Sequence, residues 1–340
     1  MKILFTISAV LGFFSVATSA NAASFDCAKA SLPVERLICG DGALSRLDEA
    51  MAAEYSRARA AVSEDGRRQL RDNQRSWLKY VSATCVGSKE ALQCLRDAYQ
   101  DRRDGLGKVP VKMGPFTFIP VESFGFEKAA VDDDGGMVTG WTIDLRRYPR
   151  IDAPATREAA AWNAAVAARS DATAQAPRLS DDDAADESGI DAQESFDIHS
   201  ASSDLISMSS EGYVYPHGAA HGTEGAQTSN HLLSMGRELE PADLFNPRSG
   251  WRGFLADRCF AGLSAQAEAD GWTLDTPEPA ALVATASDPK NWEITGAALT
   301  IRFSVYEVGP YSASMPKVAI PWADLKPYLA ASPVLPIPPR

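Results

Sequence analysis

"GLGKVPVKMGPF", residues 105–116, is where the chain changes its hydrophobic period. Upstream of it, apolar residues recur at steps of three and four. Downstream they alternate at steps of two. Within the stretch, glycine and proline replace the helical pattern, so it predicts a linker between two differently built units.

The upstream unit reads as helical. Pro33 is placed to open a short helix through "VERLIC", and Asp41 to cap the next. Leu44, Leu47, Met51, Tyr55, Ala58 and Val62 then form one apolar stripe, and Leu70, Gln74, Trp77 and Val81 form a second. Trp77 is expected in the core on this spacing. Ser88 is the expected cap of a third long helix, with Leu92, Leu95, Tyr99 and Leu106 facing inward. Four of the five cysteines (Cys27, Cys39, Cys85 and Cys94) lie in this unit. Such a cluster reads as two disulfides, and the alternative, a zinc site, wants closer C-x₂₋₄-C pairs. Three pairings exist in principle. The local ones, Cys27–Cys39 and Cys85–Cys94, are expected because each closes a short loop between helices. A unit this small gains from crosslinks.

The downstream unit alternates. "WTIDLRRYP" sets Trp141, Ile143 and Leu145 against polar neighbours, and "LTIRFSVYEV" does the same with Leu299, Ile301, Phe303 and Val305. "SFDIHSASSDLISMSSEGYVY" predicts one or two more strands with a turn near Ser202–Asp204. Residues 154–176 are alanine-rich and predict a helix. Residues 249–268 predict another, with Trp251, Phe254, Leu255, Cys259 and Leu263 on one face and Cys259 as a buried core thiol. The acidic run 180–194, "SDDDAADESGIDAQE", reads as a solvated loop. Asp181, Asp182 and Asp183 lack the alternating order of a calcium loop. The expected fold is therefore α+β: a small disulfide-linked all-α N-terminal domain at 23–107, a linker and first strand at 108–137, an α+β domain with a mostly antiparallel sheet and packed helices at 138–330, and a proline-rich tail at 331–340.

The first 22 residues read as a signal peptide. Lys2 precedes the apolar run 3–17, and "ANA" at 20–22 fits a cleavage site near Ala22. A periplasmic or secreted protein without a stable membrane anchor is expected. Charge is uneven. Residues 23–107 hold 14 Lys+Arg against 13 Asp+Glu, and Lys2 adds one positive charge, so the chain's net −12 leaves −14 on 108–340. That balance disfavours nucleic acid and suits solubility or a basic partner.

Two resemblances rest on ordered motifs. "SFDCAKASLPVERLICGDGALSRLDEAMAAEY", "QRSWLKYVSATC" and "CLRDAYQDRRDGL" resemble the LprI-like N-terminal family of lysozyme inhibitors over residues 24–107. "YVYPHGAAHGT", "RELEPADLF" and "YEVGPYSASMPKVAIPWADLKPYL" resemble the C-terminal domain of RsiV-type anti-sigma factors, over about 138–330. The first resemblance implies inhibition of lysozyme, the second direct binding of it. The chain departs from the RsiV type in showing no transmembrane helix and no sigma-binding segment.

Two segments are candidate sites. In "YVYPHGAAHG", residues 213–222, His217 and His221 have the spacing of a helical metal pair, but Pro216, Gly218 and Gly222 argue for a turn, and no carboxylate lies between them. Glu224 and His231 are the remaining conceivable ligands. In "EVGPYSAS", residues 307–314, a Pro/Gly loop presents an aromatic, as recognition loops do. Tyr215, His217, His221, Glu307, Pro310 and Tyr311 form the candidate binding set; no catalytic residue, metal or cofactor is expected. There is no G-x-S-x-G elbow and no phosphate-binding glycine loop. The expected function is a non-enzymatic exported binder or inhibitor of lysozyme or another basic cell-wall hydrolase. The alternatives are an enzyme acting on cell-wall polysaccharide, with metal near His217 and His221, and a structural peptidoglycan-binding protein.

Overall fold

A computed structural model describes residues 23–129, 136–175 and 189–335. The expected signal peptide, Asp181–Asp183 and the last five residues of the tail lie outside the described residues.

Four helices build the N-terminal unit: α1 (Pro33–Gly40), α2 (Gly42–Ala60), α3 (Glu64–Cys85) and α4 (Ala91–Gly107). Pro33 occupies the first turn of α1, and the Asp41 carboxylate caps α2 by accepting from Leu44 N at 2.8 Å. Ser88 does not cap α4: that helix starts after Glu90, and the Ser88 hydroxyl accepts from Glu90 N instead. Val62 continues the α2 stripe from just beyond the helix end. The disulfides are Cys27–Cys39 and Cys85–Cys94, and Trp77 lies in the core, packed edge-on to Tyr99. The helices enclose Leu44, Met51, Val81, Leu95 and Leu106.

Residues 105–116 are not a plain linker. Helix α4 continues to Gly107, and β1 (Val111–Met113) already pairs with β2 (Phe116–Lys128). The strands β3 (Trp141–Ala153), β4 (Ile190–Ala201), β5 (Leu205–Pro216), β6 (Thr223–Leu232) and β7 (Arg237–Glu238) follow. Among the described residues these seven form one sheet in sequential order. Every pair is antiparallel except β3–β4, which is parallel. A parallel pair needs a crossover, and it contains the alanine-rich helix α5 (Arg157–Gln175). Trp162 and Val166 of α5 pack on Phe118, Ile206 and Met208 of the sheet. Asn163 of α5 clips β3 by bonding both Ile151 N (2.7 Å) and Ile151 O (2.9 Å). The expected turn at Ser202–Asp204 joins β4 to β5. The expected acidic loop ends earlier than 194, because Ile190–Glu194 opens β4.

A short helix α6 (Pro241–Leu244) and the long α7 (Trp251–Asp270) lead to a second, three-stranded antiparallel sheet. It comprises β8 (Trp292–Ile294), β9 (Ala298–Arg302) and β10 (Lys317–Pro321). Strand β9 stops at Arg302, short of the expected run to Val308: Phe303 N still bonds Pro316 O, but Pro316 has no N–H to return the bond, and the chain then turns. Helix α7 covers this sheet with Trp251, Leu255, Cys259 and Leu263. Burial pushes the unpaired Cys259 thiol up to about 12.

Strand β2 belongs to two cores. Ile119 packs with Leu70, Ala58 and Val62 of the helical unit, and Phe124 stacks on Tyr80 at 5.8 Å. Asn73, fully buried in α3, donates to Pro120 O at 2.8 Å and accepts from Glu122 N at 3.2 Å, so it stands in for a neighbouring strand. Arg102 of α4 pairs with Glu122 at 2.7 Å, with side chains 7% and 10% exposed. From β3, the Asp152 carboxylate accepts from Ser63 N and Ser63 Oγ at the start of α3. The fit is tight enough that a Cβ on Gly66 would sit 2.4 Å from Asp152 Oδ1.

This geometry makes a double-mutant expectation. Glu122→Leu alone strands the Arg102 charge and costs about 3–5 kcal/mol. Arg102→Met together with Glu122→Leu costs far less than the sum of the two single changes. Urea unfolding of the four proteins checks it; additive costs would show that the pair does not couple the units.

Candidate functional site

The two candidate segments meet. Strand β5 delivers Tyr213 and Tyr215, ends at Pro216, and passes into the 217–222 turn before β6 returns. The loop 303–316 between β9 and β10 folds against this turn. The His221 ring stacks on Tyr311 with centroids 4.3 Å apart, and the Tyr311 hydroxyl donates to Gly222 O at 3.1 Å. Ser314 Oγ donates to Glu224 at 3.0 Å. Tyr306 lies 5.7 Å from Tyr311, ring to ring. Gly222 is there for space: a Cβ would come within 2.3 Å of the Tyr213 ring beneath it.

The loop is held rigidly. Tyr306 (φ 63°) and Ser314 (φ 52°) both adopt the left-handed region, which non-glycine residues seldom enter. Such strain persists where surrounding contacts over-determine it, and it clusters at functional sites. Here Gly309 presses on Trp272, and Val308 O accepts from Asp275 N. Tyr306 nevertheless leaves 58% of its surface exposed. The loop thus displays an aromatic side chain from a fixed backbone.

The six candidate residues divide by role. Tyr311 and the exposed His221 form the surface stack. Tyr215 turns inward and donates to Ala219 O at 3.0 Å, bracing the turn. His217 is buried, with Nε2 3.0 Å from Asp191 Oδ1. Glu307 accepts from Ser304 N and from the Thr285 hydroxyl, so it braces the base of its own loop. Pro310 is exposed at the loop's crest. The two imidazoles are therefore committed to different partners: His217 to a carboxylate inside, His221 to an aromatic ring outside. Of the other conceivable ligands, Glu224 pairs across from Tyr213 near one end of β6, while His231 pairs across from Ile206 near the other. Among the described residues no group of three or more His, Cys, Asp or Glu is arranged to hold a metal ion.

Asp191 is the residue that sequence reading misplaced. Set in a run read as solvated, it is fully buried and accepts from Met137 N (2.7 Å) and Ile143 N (2.8 Å) while facing His217. It ties the starts of β3 and β4 to the 217–222 turn.

Beside this wall opens a cleft of about 610 Å³. Phe124 and Leu145 line its side nearest the helical unit, and Gln193 and Tyr213 lie on the strands between; Glu224 and Met315 line its far side. Carboxylates around it are mostly matched: Glu122 by Arg102, and Glu211 by Arg302 at 2.7 Å. Glu224 has only the Ser314 hydroxyl as a side-chain partner among the described residues. The arrangement offers aromatic faces, two carboxylates hydrogen-bonded by serine hydroxyls (Glu224 by Ser314, Glu194 by Ser170) and an open trough, which suits binding of a protruding, partly cationic group. Tyr306, Tyr213, Glu224 and Ser314 were missed as a group. The spacing Tyr306 to Tyr311 around a Gly-Pro pair was the available signal.

The buried and surface sides of the turn should separate cleanly by mutation. Asp191→Ala strands two backbone N–H groups and the buried His217 ring, and lowers stability by about 3 kcal/mol. His221→Ala at the surface changes it by less than about 0.5 kcal/mol. Chemical denaturation of both variants checks this; equal effects would contradict the assignment of inner and outer roles.

Two solved structures are similar to the chain: a DUF3298 family protein from Pseudomonas aeruginosa PAO1, at 16% identity over 66% of this chain and 98% of that one with TM-score 0.46, and a DUF3298 family member from Bacteroides fragilis NCTC 9343, at 14% identity over 64% and 96% with TM-score 0.44. No curated protein matches. The RsiV-type resemblance is carried only by the motifs quoted above. Residues 27–106, with all four disulfide cysteines, match the family model described as Lysozyme inhibitor LprI, and residues 242–323, with the Tyr311 loop, match Protein of unknown function (DUF3298).

Proposed function

We propose that the protein is exported, with its signal peptide removed near Ala22, and binds a lysozyme-like cell-wall hydrolase without catalysing a reaction itself. The observation that carries this reading is the match of residues 27–106 to the lysozyme inhibitor family. The two disulfides suit an oxidising compartment. Among the described residues no helix is long and apolar enough to cross a membrane.

In this reading the 23–107 and 138–330 units both face the partner, and the Tyr311 loop enters the hydrolase's substrate cleft. An aromatic on a pre-formed loop loses little conformational freedom on binding, which is why such residues dominate interface energies. His221 stacks behind Tyr311 and fixes its ring. Residues 108–340 carry −14, which attracts a basic hydrolase and raises its association rate.

Titration of the purified full chain against several lysozymes tests the proposal. The expected result is saturable loss of lytic activity, weakened by added salt because steering between exposed charges is screened. Tyr311→Ala should weaken inhibition at least about tenfold, or about 1.4 kcal/mol. Absence of binding to every lysozyme tried at micromolar protein would refute it.

A further inference from the structure

The far side of the seven-stranded sheet carries a feature that the fold does not explain. Gly212 of β5 and Gly225 of β6 lie directly opposite one another. Mid-strand glycine weakens a strand by roughly 0.5–1 kcal/mol and is kept where a bulge, a bend or a close approach requires it. None applies here among the described residues. Neither glycine has a positive φ, and β5 and β6 pair without a register shift. A Cβ on Gly225 would meet nothing within 4 Å, and one on Gly212 would have only ordinary contacts at 3.8 and 4.0 Å. The two glycines floor a groove of about 420 Å³ whose sides are Glu194, Val214, Thr223 and Gln227.

The groove lies beside an open sheet edge. Strand β7 covers only His231 and Leu232 of β6. The phase of the uncovered part follows from its covered end. Leu239 N donates to Asn230 O at 2.7 Å, and Asn230 N donates to Glu238 Oε2 at 3.0 Å, so Asn230 turns its main chain outward. Antiparallel pairing alternates by two. Ala226 and Glu224 therefore also turn N–H and C=O outward, and no described residue bonds these groups. The edge sequence from Thr223 to Ser229 contains no proline and no lysine, the usual guards against strand pairing.

We propose that the outer edge of β6 is a strand-addition site for an extended basic peptide segment, whose arginine side chain lies across Gly225 and Gly212 to reach Glu194. The row Gly225, Gly212, Glu194 is continuous across three strands. An added strand lies about 4.8 Å outside β6, so an incoming residue sits roughly 14 Å from Glu194, three strand spacings away. An extended arginine and an extended glutamate span that distance with one hydrogen bond, provided that no side chain intervenes. Two glycines meet that condition. Charge selects the occupant. Glu194 shares the face of the two glycines and has the Ser170 hydroxyl of α5 as a partner at 2.9 Å, while Glu211 and Glu224 border the groove from the other face, Glu211 matched there by Arg302. Of the nearby bases, Arg169 holds Glu238 at 2.8 Å, and Arg146 is clamped by Asp144 at 2.6 and 2.9 Å. Main-chain pairing supplies affinity in this mode, and the alternate side chain supplies specificity. The inference does not depend on the hydrolase reading, because it uses the main-chain edge of β6 and the glycine row and none of the Tyr311 loop.

Fluorescence polarisation of the full chain with an end-blocked, fluorescein-labelled heptapeptide, Thr-Val-Thr-Arg-Thr-Val-Thr, tests it. Saturable binding is expected, at least about tenfold weaker when the central Arg is replaced by Glu. Ala226→Pro, which removes an outward donor and no bond to β5, should weaken binding by a similar factor. Gly225→Val should do the same while leaving the thermal midpoint unchanged or higher, since the added side chain has room and favours a strand. Glu194→Gln should erase the preference for Arg over Leu at the central position. Absence of saturable binding would overturn the proposal, as would unchanged binding to both Gly225→Val and Ala226→Pro. Concentration-dependent self-association abolished by Ala226→Pro would assign the edge to a second copy, and would equally overturn it.

Discussion

Strand β2 has to satisfy two cores at once, and the relation between the halves of the molecule follows from how it does so. A strand in the body of a sheet normally spends its main-chain groups on its strand neighbours. Here Pro120 contributes no N–H, and Asn73 reaches in from α3 to bond the carbonyl of Pro120 and the amide of Glu122. The Glu122 carboxylate then meets Arg102, whose Nε is already held by Gln74 at 2.9 Å. Helices and sheet are therefore joined by hydrogen bonds of fixed geometry as well as by apolar contact. Apolar contact alone permits sliding; a buried, hydrogen-bonded polar set resists it.

A second set does the same between the two sheets. Arg302 at the end of β9 bonds Glu293 of β8 and Glu211 of β5, and Lys317 of β10 completes the group at 2.9 Å from Glu293. Burial alone would raise the Glu293 carboxyl; the Lys317 contact and the charges of His199 and Arg302 hold it below the usual range. Burial lowers His199 at the edge of the same group, partly offset by Glu293. Buried ion pairs add little net stability against an apolar alternative, but a mispaired arrangement leaves a naked charge. The group thus fixes how the small sheet sits on the large one. Because Glu211 also borders the cleft, the same constraint sets the distance between the cleft's walls.

The period change near residue 110 was legible, as were the helical stripes, the disulfide pairing and the turn after Pro216. All of these are local properties of short segments. What the sequence concealed depends on partners distant in the chain. Asp191 reads as a solvated acid until Met137, Ile143 and His217 are brought around it. Apolar alternation carries on past Arg302 through Phe303 and Val305, so nothing local announces that β9 stops there. The stop comes from Pro316, which accepts from Phe303 but has no N–H to return, in a loop that turns back against β6. Asn73, Asn163 and Asn230 each clip a distant main chain. Asparagine is a poor helix former, and its presence inside α3 and α5 is the trace such clips leave in a sequence. For the candidate site, the segments were found but their division of labour was not. Which histidine faces inward depends on Asp191 and Tyr311, both far from the turn in sequence.

Both disulfides are local, closing loops with sequence separations of 12 and 9. Each staples helices to helices; neither reaches the sheet. The helical unit is tied to the remainder by a single passage of chain at Lys108–Pro110 and by non-covalent contacts across β2 and β3. Covalent topology therefore leaves the two units exchangeable. Two molecules that open at this passage could trade helical units, each re-forming every contact of the junction with its partner's sheet, without breaking one crosslink.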